Sequence, residues 1–165
     1  MSRATTPPRI RPLGRPGDLG WVVQAHGEIY AREFGWDTSF EALVLQIVAG
    51  FSADHDPARE AAWIAESAGR RVGCVFCVAG DESTARLRIL LVDPAVRGQG
   101  VGTLLLDTCL QFARQAGYSR ITLWTNDCLE AAGRLYRSRG FTLEDEQPHT
   151  SFGVSLVGQT YSLAL

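Results

Sequence analysis

At 165 residues the chain is sized for one domain, spanning 1–165, with enough length to bury a real core. Its net charge of -2 argues against a general nucleic-acid binder, which is basic overall, and no apolar run is long enough to span a membrane. Met1 to Arg15 is rich in Pro and Arg and lacks the apolar stretch of a signal peptide, so a cytoplasmic location is expected, with residues 1–8 flexible.

Ile10 to Leu13 reads as a short first strand. Asp18, behind Pro16-Gly17, is placed to cap a helix through about Ala31, whose stripe is Leu19, Val22, Val23, His26, Ile29 and Tyr30. Thr38 and Glu41 form a capping box for a second helix, in which Phe40, Leu43, Val44, Ile47, Val48 and Phe51 recur at helical spacing. Asp54-His55-Asp56-Pro57 marks a loop. Strands over 61–67 and 72–79 follow, joined at Gly69-Arg70, and the turn Gly80–Ser83 leads to a strand over 85–92.

Asp93-Pro94 ends that strand, because proline offers no ladder donor and biases its predecessor away from helix. Gly98, Gly100 and Gly102 open a helix from Gly98 to Gln115, with Val101, Leu104, Leu105, Thr108, Cys109, Phe112 and Ala113 expected inward and Gly117 as its stop. Arg120 to Thr125 reads as a strand. A last helix starts at Asp127 or Cys128 and ends before Gly140; closing strands are expected over 141–146 and 159–165, with Pro148 to Gly158 as the loop between them.

Cys74-Val75-Phe76-Cys77 has metal-ligand spacing, but it falls in a strand, where residues three apart point to opposite faces. With no second such pair, the four cysteines read as buried reduced thiols and no metal site is expected.

Glycines close to a helix start let backbone approach a ligand while the first-turn N–H groups carry partial positive charge, an arrangement suited to phosphate. A Walker loop needs lysine, and all sixteen basic side chains here are arginine. A dinucleotide fingerprint needs its third glycine where this chain has Thr103. What remains is Arg-x-x-Gly-x-Gly, from Arg97 through Gly100 to Gly102, and beyond the next strand an Ala-x-x-Leu-Tyr-x-x-x-Gly-Phe segment at Ala132, Leu135, Tyr136, Gly140 and Phe141. Together these resemble the GNAT superfamily of N-acetyltransferases. The resemblance implies an α/β (α+β) GNAT fold, a mixed and mostly antiparallel sheet with helices on both faces. Residues 26–51, 123–136 and 149–153 look most like the acetyltransferase domains fused behind MarR-type regulators, although too few residues precede Ile10 for a regulator domain.

The resemblance implies acetyl-CoA as acetyl donor, a primary amine of a small molecule or protein as acceptor, and direct attack. Leu91, Val92, Arg97, Gly98, Gln99, Gly100, Val101, Gly102 and Thr103 would bind the cofactor, the strand backbone at Leu91 and Val92 pairing with the pantetheine arm and an N–H there stabilising the oxyanion. Tyr136 is the expected general acid, its phenol protonated at neutral pH; the alternative is a core aromatic. The family's common asparagine before that tyrosine is Leu129 here, and Asn126 either bonds the pantetheine arm or caps the following helix. Arg134, Arg137 and Arg139 either reach the CoA phosphates or form a solvated face. Tyr30, Glu33, Trp36 and His149 are the expected acceptor-site residues, with Glu33 the expected base and its carboxylate suited to a cationic amine. The rival function is a non-catalytic acyl-CoA or metabolite sensor tied to transcriptional regulation; a dinucleotide-binding oxidoreductase is a third. No nucleic-acid or membrane partner is expected, and a homodimer is allowed without being required.

Overall fold

The Leu- and Val-rich strand ahead of the glycine turn stands at the centre of a seven-stranded sheet. The computed structural model describes residues 6–165; the flexibility expected of residues 1–5 lies outside that range. In chain order the elements are β1 (Arg9–Pro12), α1 (Asp18–Phe34), α2 (Thr38–Asp54), β2 (Ala61–Ser67), β3 (Arg70–Ala79), β4 (Thr84–Val92), a 3₁₀ turn (Pro94–Val96), α3 (Val101–Gln115), β5 (Arg120–Asn126), α4 (Glu130–Ser138), β6 (Thr142–Ser151) and β7 (Val154–Ala164). The strands lie in the order β1-β2-β3-β4-β5-β7-β6, and only the β4–β5 pair is parallel. This mixed, mostly antiparallel α/β sheet is the architecture that the resemblance to the GNAT superfamily implies.

Alternation along the strands divides the core. Val75, Cys77, Ala85 and Leu87 pack with Leu105, Leu106, Cys109 and Tyr136 of α3 and α4, while Ile64, Cys74, Phe76 and Leu91 pack with Val22, Ile29, Val44 and Val48 of α1 and α2. Cys74 and Cys77 therefore occupy opposite faces. Among the described residues no group of His, Cys, Asp or Glu side chains is gathered closely enough to hold a metal ion.

The β4–β5 pairing covers only Thr84↔Arg120, Ala85↔Ile121 and Arg86↔Thr122, after which the strands part. β4 bends at this point: it pairs Arg88 with Phe76 and Leu91 with Cys74, so an extra residue bulges between them, and Ile89 there takes φ 46°. Positive φ is strained for a β-branched residue, and such strain concentrates at binding sites.

Several local expectations are corrected. Asp18 is the first residue of α1, not its cap; its wholly buried carboxylate is taken by Arg11, Arg71 and the Gly14 and Arg15 N–H groups. The first helix runs on to Phe34. The second is capped by Asp37, whose carboxylate accepts the Ser39 N–H at 2.9 Å, and not by a Thr38–Glu41 box. The glycine-rich helix starts at Val101, because Gly98 and Gly100 are left-handed at φ 79° and 80°. Its buried side includes Leu106 and Leu110, whereas Leu104 is 41% exposed. Pro148 to Gly158 is no loop: β6 and β7 form a long hairpin through Ser151↔Val154, turning at Phe152-Gly153, both at positive φ. Pro148 is tolerated because β6 is the outer strand.

Candidate functional site

Where β4 and β5 separate, two hollows open and meet. The larger, about 700 Å³, is lined by Leu91, Val92, Arg97, Gly98, Gly100, Val101, Gly102 and Thr103, together with Glu33, Arg134 and Leu135. The smaller, about 410 Å³, is lined by Tyr30, Trp36 and Phe40 from the α1–α2 side, by Arg86 to Leu90 of β4, by Thr122 to Asn126 of β5, and by Tyr136 and Phe152. Tyr30, Leu90, Leu129 and Ala132 belong to both walls.

The larger hollow ends on the glycine turn. Among the described residues no side chain caps α3, so the N–H groups of Val101, Gly102 and Thr103 stand ready for an anion. A Cβ on Gly98 or Gly100 would meet nothing within 4 Å, so these glycines serve the left-handed turn; a Cβ on Gly102 would come within 3.2 Å of Leu135 and 3.5 Å of Val92. Gln99 does not line the hollow, and its N–H is turned to the Val96 carbonyl at 3.3 Å. Arg97 is held by Glu33 through both oxygens, at 2.7 and 3.0 Å. Of the three arginines read as either phosphate contacts or a solvated face, only Arg134 lines this groove; Arg137 donates to the Tyr161 hydroxyl and Arg139 pairs with Asp107.

The smaller hollow is walled by aromatics. Tyr30, Trp36, Phe40 and Phe152 have neighbouring ring centroids 4.7 to 5.1 Å apart, and the β6–β7 turn is tied down by the Asp37 N–H donating to the Phe152 carbonyl at 3.0 Å. Tyr136 reaches this hollow from the opposite face of the sheet. Burial, reinforced by the nearby Tyr30 phenol, holds its pKa well above the ordinary tyrosine range. Asn126 is buried, and its Oδ1 accepts from His149 Nε2 at 2.8 Å, while His149 Nδ1 accepts from Ser151 at 2.9 Å. Thus Asn126 lines the hollow, and His149 lies behind it as its support. Glu33 lines only the larger hollow, and among the described residues no carboxylate lines the smaller one.

In the sequence His26 reads as a stripe position of the first helix and the first residue of the 26–36 segment expected to wall the acceptor site. Its ring is 1% exposed, stacks on Tyr30 and donates from Nδ1 to the Val22 carbonyl at 2.7 Å. Among the described residues Nε2 has no partner, and burial pushes the imidazole down to about 4. Arg86, Arg88 and Phe152 are among the further wall residues that sequence reasoning did not assign to a site.

Residues 23–141 match the sequence profile of the acetyltransferase (GNAT) family. The chain belongs to that family. It is 43% identical to human N-acetyltransferase 8B over 84 residues, covering 48% of this chain and only 37% of that longer protein. An uncharacterized N-acetyltransferase of Schizosaccharomyces pombe is 31% identical over 122 residues, covering 73% of this GNAT chain and 74% of the yeast protein. Two solved structures share the GNAT fold. One is yncA of Salmonella typhimurium with its cofactor acetyl-CoA, at TM-score 0.76, 19% identity and 96% and 94% coverage of this and that chain. The other is a GNAT acetyltransferase of Staphylococcus aureus, at TM-score 0.79, 18% identity and 95% and 98% coverage.

The residues fit a CoA-type ligand. The first turn of α3 supplies free N–H donors, the parted edge of β4 beyond Arg86 has no partner strand on its β5 side, and the groove joins both to the aromatic hollow.

Proposed function

We propose that this chain transfers the acetyl group of acetyl-CoA to a primary amine by direct attack. The observation that carries the reading is the parting of β4 from β5, which connects a glycine turn with uncapped N–H donors to an aromatic-walled hollow. Acetyl-CoA, when bound, supplies the reactive thioester. The turn at Arg97 to Thr103 holds the pyrophosphate and fixes the distant end, so that reaction becomes a matter of position. The open edge of β4 near Leu91 and Val92 offers backbone groups to the pantetheine arm, and β4 bulges at Ile89 just before this edge. The amine enters from the aromatic side. As the C–S bond breaks, Tyr136, protonated throughout the neutral range, gives its proton to the departing thiolate, and the proton released by the newly bonded nitrogen returns to the phenolate through water, leaving the amide and the CoA thiol.

The membership of the family and the acetyl-CoA held by the Salmonella neighbour support the donor. A cytoplasmic location and the likeness to regulator-fused domains belong to the same proposal. The test is thiol release from acetyl-CoA across a panel of amines. Release that depends on amine supports the reading; a protein that binds acetyl-CoA and releases no CoA with any amine is a sensor instead.

A further inference from the structure

The smaller hollow carries an unexpected charge. Arg86 and Arg88 lie two residues apart on β4 and so share a face, opposite Leu87, which packs into the α3 core. Both line the hollow, and among the described residues neither has a carboxylate within 4.0 Å or a hydrogen-bond acceptor. Arg86 is exposed, where solvent satisfies it. Arg88 is half-buried, its pKa lowered first by burial and then by Arg86. A buried lysine could relieve such a position by shedding its proton, but a guanidinium cannot, so it needs an anion.

We infer that the acceptor is an amine that also carries a carboxylate, which docks on Arg88 with Arg86 beside it. The inference rests on the acetyl-transfer reading and narrows it to amino-acid-like acceptors. Arg88 is two residues along β4 from Leu90, where the two hollows meet, so an anchored carboxylate leaves its amine within small-molecule reach of the thioester. The rings of Tyr30, Trp36, Phe40 and Phe152 would flank an apolar body. With two cations and no carboxylate on the walls, the hollow disfavours an ammonium and favours the neutral amine that attack requires. A fork–fork contact between guanidinium and carboxylate would fix orientation as well as charge.

The experiment follows CoA release for apolar, aromatic and acidic α-amino acids, each paired with its carboxamide and its decarboxylated amine. The expected result is a kcat/KM at least about tenfold higher for the carboxylate member of an accepted set, the size of one charge-assisted hydrogen bond. Arg88→Gln should raise KM and remove most of that preference, and Arg88→Lys should restore part of it. Binding of the product analogue N-acetyl-L-phenylalanine, read by tryptophan fluorescence, gives a second measure that needs no turnover. Amides and simple amines accepted as well as the amino acids would overturn the anion site while leaving acetyl transfer standing. No CoA release from any set, with N-acetyl-L-phenylalanine bound in an Arg88-dependent way, would overturn acetyl transfer while leaving the anion site standing. Neither release nor Arg88-dependent binding would overturn both.

Discussion

Arg97 and Glu33 form a two-point ion pair on the wall of the larger hollow, Nη1 to Oε1 at 2.7 Å and Nη2 to Oε2 at 3.0 Å. The guanidinium beside the glycine turn is thus engaged by a carboxylate where a phosphate is expected to bind. The pair is partly exposed, and such pairs are worth at most about 1 kcal/mol. Glu33→Gln should therefore tighten acetyl-CoA binding by up to about fivefold, and Arg97→Gln should weaken it by about tenfold, both measured by calorimetry at low salt. Weakening by both substitutions would show instead that Glu33 orients Arg97 for the phosphate.

Tyr136→Phe should lower kcat by about a hundredfold and leave acetyl-CoA affinity nearly unchanged, as expected for loss of a general acid. Equal loss of affinity and rate would mark the ring as structural. The pH profile gives a separate check. The acid must be protonated, and its pKa is raised by burial, so no loss of kcat from this group should appear as pH rises through the ordinary tyrosine value of about 10.

The glycine turn and Tyr136 were legible in the sequence because turn chemistry and helix spacing are local. The parting of β4 from β5 was not. It depends on where a parallel pairing ends, and the run Leu87 to Val92 looks regular until Ile89 takes positive φ. The β6–β7 turn was hidden for two reasons: Pro148 suggests a loop, and Phe152 is a bulky residue at φ 58°, far from the usual Asn-Gly. Its conformation becomes intelligible only with the ring packed 4.9 Å from Trp36 and 5.1 Å from Phe40. Missing that turn removed one aromatic wall from the expected acceptor site. Charge placement was not legible either: Glu33, expected on the acceptor side, pairs with Arg97 on the larger hollow, and the smaller hollow presents Arg86 and Arg88.

His26 should make the fold acid-sensitive in a particular window. The folded value is about 4 and the unfolded value about 6.5, so the unfolded chain binds more protons between them. The contribution is fully present above about pH 6.5 and is lost as pH falls to about 4, a total of about 3 kcal/mol. His26→Gln removes the titration. Urea midpoints measured from pH 7 to pH 4 should fall less steeply for the variant than for the parent protein. Parallel slopes would show that the imidazole gains a proton without strain.

Asp18 anchors α1 to the sheet, and its removal should be costly. Its carboxylate accepts from Arg11 at 2.8 Å through both oxygens, from Arg71 at 2.8 Å, and from the Gly14 and Arg15 N–H groups at 2.9 and 2.8 Å. These donors, Arg11 foremost, hold its pKa well below the ordinary carboxylate range. The stabilisation is therefore present at all pH above about 3.9 and is lost only as pH falls below it toward the folded value. Asp18→Asn leaves Arg11 and Arg71 without their shared anion and should cost about 3–5 kcal/mol, the scale for breaking a buried pair from one side. Urea unfolding at neutral pH measures this. A loss below about 1 kcal/mol would mean that Glu66, 2.6 Å from Arg11 on the neighbouring strand, carries the anchor without it.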